Sequence, residues 1–195
     1  MLCLKDIVAQ TIRFCVSYGG SMKKLEEYVR TIPDFPEPGI MFRDITTILQ
    51  DADGFKLAID SMIDILKDID YDVLALAESR GFIFGSAVAY AMHKPITLVR
   101  KKGKLPCETI SQDYELEYGM ATVEMHTDAI KPGQKVVVLD DLIATGGTIE
   151  ASCKLVEKLG GEVVDVIVVM ELEGLNGRAK LEGYRVDSIL KYPGK

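Results

Sequence analysis

The sequence predicts an α/β protein in which a mainly parallel, twisted sheet is flanked by helices. Short apolar runs bounded by turn residues alternate along the chain with longer segments whose apolar residues recur at helical spacing. Strands that alternate with helices in this way usually pair in parallel, with helices on both faces of the sheet. Such sheets bind their ligands beyond the carboxyl ends of the strands. The residues that follow each predicted strand are therefore the first candidates for a functional site.

Local patterns predict the individual elements. Apolar residues such as Phe55, Ile59 and Met62 recur at the spacing of an amphipathic helix. The predicted helices cover residues 25–32, 55–69, 82–93 and 149–159. The predicted strands cover residues 73–77, 96–99, 136–139, 163–170 and 186–190. We expect Pro33 to stop the first helix, His93 to close the third, and Gly160-Gly161 to cap the fourth.

The segments between these elements carry turn signals. Residues 34–40 are rich in proline and predict a loop, and residues 51–54 predict a turn. Residues 111–127 combine tyrosines and glutamates with an alternating apolar run, which favours a hairpin or a long flap. Long loops in compact proteins are often lids. A plain surface hairpin is the alternative.

Residues 1–21 stand apart from this pattern. Leu4, Ile7 and Val8 recur at helical spacing, but charged residues interrupt the run, so it makes a poor signal peptide. Glycine codons just before Met22 are purine-rich, like a bacterial ribosome-binding site. We expect an N-terminal extension over residues 1–21, caused by start-site choice, and a single domain over residues 22–195. The alternative is a real amphipathic helix, and mass spectrometry of the native protein distinguishes the two.

The composition limits the class of protein. The chain has 195 residues and a net charge of −7, which argues against broad nucleic-acid binding. No apolar stretch approaches the roughly 20 residues of a membrane span. The four cysteines have neither zinc nor disulfide spacing, which fits a reducing cytoplasm. The basic cluster at residues 100–104 is therefore a local exception that could bind an anionic substrate.

The most informative segment is residues 136–148, where an apolar run ends in Asp140 and Asp141. The sequence Ala144-Thr145-Gly146-Gly147-Thr148 follows and leads into a predicted helix. Unpaired amides at a helix start favour an anion, and glycine can take positive φ so that the backbone approaches a ligand. The threonines add hydroxyl donors, whereas ionised aspartates accept bonds from hydroxyls. The pattern therefore predicts a site for a ribose 5-phosphate.

This short segment is also compatible with other structures. An apolar run ending in two aspartates also resembles the metal-binding strand of a P-loop ATPase, but the chain has no G-x-x-x-x-G-K-[ST] motif. A dinucleotide-binding G-x-G-x-x-G motif is also missing from the sequence. An ordinary buried strand followed by a Thr-Gly-Gly turn remains open on this segment alone.

Segments in a fixed order make the prediction specific. Residues 136–148 resemble the phosphoribosyl-diphosphate signature of the type I phosphoribosyltransferase family. The segments that resemble its adenine-specific members are residues 32–45, 78–85, 100–106 and 114–119. A weaker match continues from Glu171 to Arg178. The resemblance implies the type I phosphoribosyltransferase fold, with an N-terminal purine-binding segment and a flap hairpin.

The resemblance also implies a reaction and its residues. Adenine and 5-phosphoribosyl 1-diphosphate would give AMP and pyrophosphate in purine salvage, with Mg²⁺ held mainly by substrate oxygens and water. Asp140 and Asp141 would bind the ribose hydroxyls, and the loop from Ala144 to Thr148 would hold the 5-phosphate. The cationic residues expected at the diphosphate are Arg80, Lys102 and Lys104. Arg100 is expected to reach a neighbouring subunit's site, which implies a homodimer.

The remaining candidates surround the base and the flap. Phe42 and Leu142 are expected to stack on the two faces of adenine, while backbone groups of Met41 and Arg43 meet its edge. Glu117 on the flap matches the family residue that exchanges a proton with the base, and Tyr118 next to it is a further substrate-binding candidate. Carboxylates that compete with Glu117 for this role are Glu115 and Glu124.

Rival functions on the same fold were also considered. The phosphate loop alone cannot separate adenine from hypoxanthine, xanthine or orotate as the base. A non-catalytic regulator that senses phosphoribosyl diphosphate should carry a DNA-binding module or a basic face, and the net charge opposes that.

Overall fold

A computed structural model of the protein describes residues 23–115 and 119–194. The strands are β1 (Arg30–Pro33), β2 (Met41–Asp44), β3 (Val73–Ala77), β4 (Ile96–Lys101), β5 (Thr109–Glu115), β6 (Met120–His126), β7 (Lys135–Ile143), β8 (Glu162–Leu172) and β9 (Val186–Tyr192). The α-helices are α1 (Thr46–Gln50), α2 (Ala52–Leu66), α3 (Arg80–Met92) and α4 (Gly147–Lys158). Short 3₁₀ helices cover Leu25–Tyr28, Glu173–Leu175 and Gly177–Leu181. The expectations for residues 1–21, Glu117 and Tyr118 fall outside the described residues.

A seven-stranded sheet forms the centre of the protein, in the order β5-β6-β4-β3-β7-β8-β9. The strands β4, β3, β7, β8 and β9 run parallel to one another. β5 and β6 form an antiparallel hairpin that continues the sheet beside β4. The predicted mainly parallel sheet is confirmed, and the predicted hairpin over residues 111–127 is an extension of that sheet.

Alternate residues of the central strands face different helices. Leu74 and Leu76 of β3 lie in one apolar cluster with residues of α2 and α3. Val73 and Ala75 lie in a second cluster with residues of α4. Successive side chains of a strand point to opposite faces, so the sheet is buried on both sides, as the apolar runs predict. In the described part of the chain no helix is long and apolar enough to span a membrane.

The N-terminal prediction was wrong in part. A helix was expected over residues 25–32, but the 3₁₀ helix ends at Tyr28 and β1 begins at Arg30. Thr31 and Ile32 are β-branched and favour extended backbone, and β2 provides their pairing partner. The predicted turn at residues 51–54 is instead the start of α2, because the Asp51 side chain accepts the N–H groups of Asp53 and Gly54 as an N-cap.

The predicted ends of the third and fourth helices agree with the structure, whereas the helix predicted to end at residue 69 ends at Leu66. His93 takes φ 54°, and its N–H bonds back to carbonyl groups of the last turn of α3. Gly160 takes φ +84° directly after α4. Left-handed residues of this kind commonly end helices. The helix starts lie two or three residues earlier than predicted, because Arg80 and Gly147 precede the first periodic apolar residues.

A buried carboxylate lies within β8. Asp165 is fully buried and, in the described part of the chain, its Oδ2 has no hydrogen-bond partner. Arg185 Nε lies 3.7 Å away from that oxygen. Burial, followed by the negative charge of Asp187, raises the pKa of Asp165 to about 7. The folded protein therefore holds a proton here that the unfolded chain releases near pH 3.8.

We expect Asp165→Asn to remove part of the pH dependence of stability. A carboxyl with a raised pKa contributes most below pH 3.8 and loses that contribution as pH rises through about 7. The free energy of unfolding of the wild type should therefore fall, relative to the variant, between pH 5 and pH 8. Urea denaturation at the two pH values measures this difference. Identical pH slopes for both proteins would contradict the proposed burial of a proton.

Candidate active site

The carboxyl ends of three neighbouring parallel strands lie at one edge of the sheet. Glu78 follows β3, Arg100 and Lys101 end β4, and Asp140 and Asp141 lie near the end of β7. A cleft of about 260 Å³ opens at this edge. Its lining residues are Glu78, Arg80, Lys101, Tyr114, Val123, Asp140, Asp141, Leu142 and Thr148. The structure thus brings cations, carboxylates and the start of α4 to a common cleft.

Asp140 and Asp141 belong to the strand and not to the loop after it. The apolar pattern predicts a strand end at residue 139, but β7 continues to Ile143. It does so because β8 runs beside it and pairs with Asp140 and Leu142. Only residues 144–146 remain as the connection to α4. Pairing within the sheet therefore holds the backbone of the two aspartates more firmly than a loop would.

Asp140 is buried against the start of α3. Its Oδ1 accepts the backbone N–H of Asp141 at 2.8 Å, and a Cβ added at Gly81 would lie 3.0 Å from the same oxygen. Burial, and then the negative charge of Asp141, raise the pKa of Asp140 well above its usual value. Ionisation of Asp140 is therefore less favourable than that of an aspartate in water. A protonated carboxyl can still bond a hydroxyl, since it both donates and accepts.

Asp141 is paired with Arg80 across the cleft. Arg80 Nε donates to Asp141 Oδ2 at 2.5 Å, and the Asp141 side chain is only 7% exposed. Arg80 is the first residue of α3 and follows Ser79, whose peptide bond with Glu78 is cis. A bound diphosphate would offer the guanidinium further oxyanions of the kind it now shares with Asp141.

Gly146 shapes the connection between β7 and α4. It takes φ +79° and is the N-cap residue of α4. A Cβ at this position would lie 2.3 Å from the carbonyl oxygen of Gly177. The close approach that glycine allows is therefore to the protein's own backbone. Gly147 is helical and lies under the Tyr114 ring, so the expected positive φ is seen at Gly146 only.

The start of α4 has the properties of an anion site. No side chain of the described residues caps its N-terminus, and its first amides have no partner within the helix. Thr148 lines the cleft, and Ala144 and Thr145 are half-buried in the connection before it. Helix starts of this kind bind phosphate groups through amides and the helix dipole.

The basic segment is held by Glu78. Arg100 Nε donates to Glu78 Oε2 at 3.1 Å, and Arg100 Nη1 donates to the Lys104 carbonyl at 3.0 Å. Burial would raise the pKa of Glu78, but the bonds from Arg100 and from the Lys101 amide outweigh it and lower that pKa. Lys101 lines the cleft, whereas Lys102 and Lys104 are exposed on the turn beyond it. Arg100 thus lies against Glu78 of the same chain, although the resemblance places it at a neighbouring subunit's site.

The predicted base-binding residues are divided between two places. Met41, Phe42 and Arg43 lie on β2, in the small sheet with β1, whereas Leu142 lines the main cleft. The Phe42 ring is partly exposed and meets Phe35 edge-on, with 5.2 Å between the ring centroids. The Arg43 guanidinium lies over the Tyr192 ring, 4.5 Å from its centroid. Phe42 therefore presents an aromatic surface, but its observed ring partner is Phe35 and not Leu142.

Sequence reasoning missed some residues of this region. Tyr114 and Val123 line the cleft, yet neither was singled out for binding. The Arg178 guanidinium donates to both carboxylate oxygens of buried Glu171 at 2.6 and 2.7 Å, which fixes the chain next to Gly177. The weak family match from Glu171 to Arg178 was the available signal for this pair.

A comparison of sequences identifies the family. A model of the phosphoribosyl transferase domain matches residues 45–193, which is most of the chain. The protein belongs to the phosphoribosyltransferase family. The match includes β7, the glycine connection and α4, so the predicted phosphate loop lies within the family's domain.

Several proteins similar to this phosphoribosyltransferase share the name adenine phosphoribosyltransferase. The adenine phosphoribosyltransferase of Butyrivibrio fibrisolvens is 71% identical over 174 residues, covering 89% of this chain and 96% of the relative. That of Agathobacter rectalis is 64% identical, covering 89% and 100%. The crystal structure of the Thermoanaerobacter pseudethanolicus adenine phosphoribosyltransferase matches with a TM-score of 0.82 and 50% identity, covering 87% of this chain and all of that one.

One similar structure contains ligands. The Saccharomyces cerevisiae adenine phosphoribosyltransferase, complexed with an imino-altritol bisphosphate and adenine, matches with a TM-score of 0.79 and 37% identity. The match covers 85% of this chain and 96% of the yeast chain. The fold that carries the cleft is therefore shared with an enzyme that binds adenine.

Proposed function

We propose that this phosphoribosyltransferase acts in purine salvage, transferring the 5-phosphoribosyl group of 5-phosphoribosyl 1-diphosphate to adenine. The products are AMP and pyrophosphate. The observation that carries the proposal is the meeting of an open helix start, a carboxylate pair and cations at one cleft. Relatives 71% and 64% identical, each named adenine phosphoribosyltransferase, indicate the base.

The ribose 5-phosphate half of the substrate would lie along β7 and the start of α4. Asp140 and Asp141 would bond the two ribose hydroxyls, since both carboxyls are rigidly held in the strand. The amides from Ala144 to Thr148, with the hydroxyls of Thr145 and Thr148, would hold the 5-phosphate. This arrangement fixes the anomeric carbon relative to the sheet edge, and fixed geometry is worth a large factor in rate.

The diphosphate half would lie towards Arg80 and the basic segment. Adenine attacks the anomeric carbon, a C–N bond forms, and the C–O bond to the diphosphate breaks. Arg80, Lys102 and Lys104 would stabilise the negative charge of the leaving group, with Lys101 at the cleft wall. Preorganised charge of this kind is usually the largest contribution to catalysis.

The adenine ring would rest on the partly exposed Phe42 surface. Aromatic stacking on one face, Leu142 on the other and backbone groups of Met41 and Arg43 at the edge would form a flat slot. Because Phe42 and Leu142 lie on different sheets, the slot would close between the β1–β2 hairpin and the end of β7.

Glu117 is proposed as the group that exchanges a proton with the base, with Tyr118 beside it in contact with substrate. Adenine must lose a proton from the attacking nitrogen, and a carboxylate can take it. We expect Glu117→Gln to lower kcat by about 100-fold, the low end for general acid–base catalysis. Steady-state kinetics at saturating substrates measures this, with Glu115→Gln as the control. Unchanged turnover in Glu117→Gln would remove the role.

A magnesium ion is proposed as the cofactor. Glu78 and Asp141 contribute carboxylate oxygens to the lining of the cleft. These oxygens can accept hydrogen bonds from the water molecules that Mg²⁺ retains. The ion itself would be held mainly by substrate oxygens and water. When bound, it supplies positive charge to the diphosphate.

A homodimer is proposed for the assembly, in the cytoplasm. Apolar side chains remain exposed on α3 and at the start of β4, with Tyr90 90%, Ile83 45% and Ile96 43% exposed. Exposed apolar groups that lie close together often mark protein interfaces, and a second copy would cover these. Sedimentation velocity, which gives the mass in solution, tests the assembly. The cysteine content supports the proposed compartment.

One assay tests the function directly. The protein is incubated with 5-phosphoribosyl 1-diphosphate, Mg²⁺ and one purine at a time, and the nucleotide is identified by chromatography. We expect AMP from adenine, with removal of Mg²⁺ by a chelator abolishing turnover. Faster nucleotide formation from hypoxanthine or xanthine would assign the enzyme to another base.

A further inference from the structure

Glu124 is a buried carboxylate next to the basic turn that follows β4. It lies on β6, is 8% exposed, and pairs in register with Arg100 on β4 and Ser111 on β5. Its Oε2 accepts the backbone N–H of Gly103 at 2.9 Å. Burying a carboxylate is costly unless its partners compensate. Packing alone therefore does not account for a glutamate at this position.

The turn that Glu124 contacts concentrates positive charge. Lys101, Lys102 and Lys104 repel one another, and Gly103 takes φ +78° between them. The Lys104 N–H bonds to the Lys101 carbonyl at 3.2 Å, and the Lys102 N–H bonds to the Thr122 carbonyl at 3.1 Å. Both lysine side chains beyond Lys101 are exposed. Hydrogen bonds of the backbone therefore determine the shape of the turn, and with it the direction of these side chains.

Two carboxylates hold the turn, one at each end. Glu78 Oε2 accepts the Lys101 N–H at 3.0 Å, and Glu124 accepts the Gly103 N–H. Bonds from an amide to an ionised carboxylate are stronger than those between neutral groups. The two negative charges also offset the repulsion among the lysines.

We infer that Glu124 is a positioning residue that holds the Lys101–Lys104 turn so that Lys102 and Lys104 meet the diphosphate. The inference rests on the proposed function, in which these lysines bind the leaving group. The same geometry bears on whether Glu124 could be the carboxylate that exchanges a proton with the base. A carboxylate that is buried and bonded to a backbone amide is poorly placed to exchange a proton with the base, so Glu124 does not compete with Glu117.

Calorimetric titration with Mg²⁺-pyrophosphate and, separately, with AMP tests the inference. We expect Glu124→Leu to weaken pyrophosphate binding by about tenfold, the scale expected for the loss of a hydrogen bond to a charged group. AMP has no diphosphate, so its affinity should stay within about twofold of the wild type, on the same reasoning. Glu124→Gln keeps an acceptor oxygen and should retain most of the pyrophosphate affinity.

The control variant is Asp113→Asn, which changes a carboxylate of the same hairpin that bonds the Thr122 hydroxyl at 2.6 Å. It should leave both affinities unchanged. Unchanged pyrophosphate affinity in Glu124→Leu, or an equal loss for pyrophosphate and AMP, would overturn the positioning role. If Glu124→Leu fails to fold, hydrogen exchange of the Gly103 amide in the wild-type protein tests the inference instead. An exchange rate equal to that of an unstructured peptide would show that Glu124 does not bond this amide, and would overturn the inference.

Lys104→Ala separates this inference from the proposed function. If Lys104→Ala binds pyrophosphate as tightly as the wild type, the assignment of the basic turn to the diphosphate fails. If Lys104→Ala weakens pyrophosphate and Glu124→Leu does not, only the role of Glu124 fails.

Discussion

Replacing Asp141 with alanine should lower kcat/KM for 5-phosphoribosyl 1-diphosphate by at least about 100-fold, the effect expected from losing precise substrate positioning. Asp141 is held in β7 and is paired with Arg80. The substitution would remove a bond to the ribose and also free the Arg80 guanidinium from its fixed place. Two parts of the substrate would then lose their alignment together.

The control for this prediction is Asp187→Ala. Asp187 is an aspartate of the same sheet, on β9, and it pairs with Arg185 at 2.8 Å. Its removal should leave kcat/KM nearly unchanged. Thermal unfolding of both variants shows whether either has lost stability. We expect a small change for Asp141→Ala because the Arg80 side chain is 45% exposed, and ion pairs with a solvent-exposed partner contribute little to stability. Equal losses of activity in the two variants would contradict the assignment of Asp141.

Replacing Gly146 with alanine should both destabilise the protein and abolish most of its activity. A residue other than glycine at φ +79° costs roughly 1–2 kcal/mol in backbone energy. The new Cβ would also lie 2.3 Å from the Gly177 carbonyl oxygen, so one of the two backbone segments must move. The Gly146 segment carries the start of α4, so its movement would shift the amides that are proposed to bind the phosphate.

Gly133→Ala is a matched control for Gly146→Ala. Gly133 has φ +80°, nearly the same backbone conformation, but nothing lies within 4 Å of an added Cβ. Both variants carry the cost of a non-glycine residue at positive φ, but only Gly146→Ala brings its new Cβ against another segment of the chain. Denaturant unfolding and the affinity for ribose 5-phosphate measure the two consequences. If both variants lost stability and phosphate affinity equally, the contact with Gly177 would have no part in shaping the loop.

Local patterns were sufficient for most of the fold. The run at residues 73–77 is apolar over its whole length, and the run at residues 163–170 is apolar except for Asp165. A strand buried on both faces accounts for such runs in an α/β chain. The positions of His93 and Gly160 as helix ends also follow from local chemistry. The first predicted helix failed because a single turn of helix competed with pairing to β2, and no local signal reports a distant partner strand.

The candidate site was predictable to a similar extent. The aspartates, the glycine connection and the basic cluster were found because each follows a strand, and parallel strands end at a common edge. Tyr114 and Val123 were missed because a cleft is lined by the side chains that the sheet and hairpin turn towards it. The registers of β6 with β4 and with β5 decide those directions.

The sequence by itself determined the alternation of strands and helices, the family resemblance and the edge of the sheet where chemistry can occur. Tertiary structure alone decided that Asp140 and Asp141 extend β7, that Gly146 faces Gly177, and that Glu124 bonds the basic turn. The physical reason is the range of the interactions. Apolar periodicity and caps act between near neighbours in the chain, whereas the pKa of Asp140 and the shape of the phosphate loop depend on segments that only folding brings together.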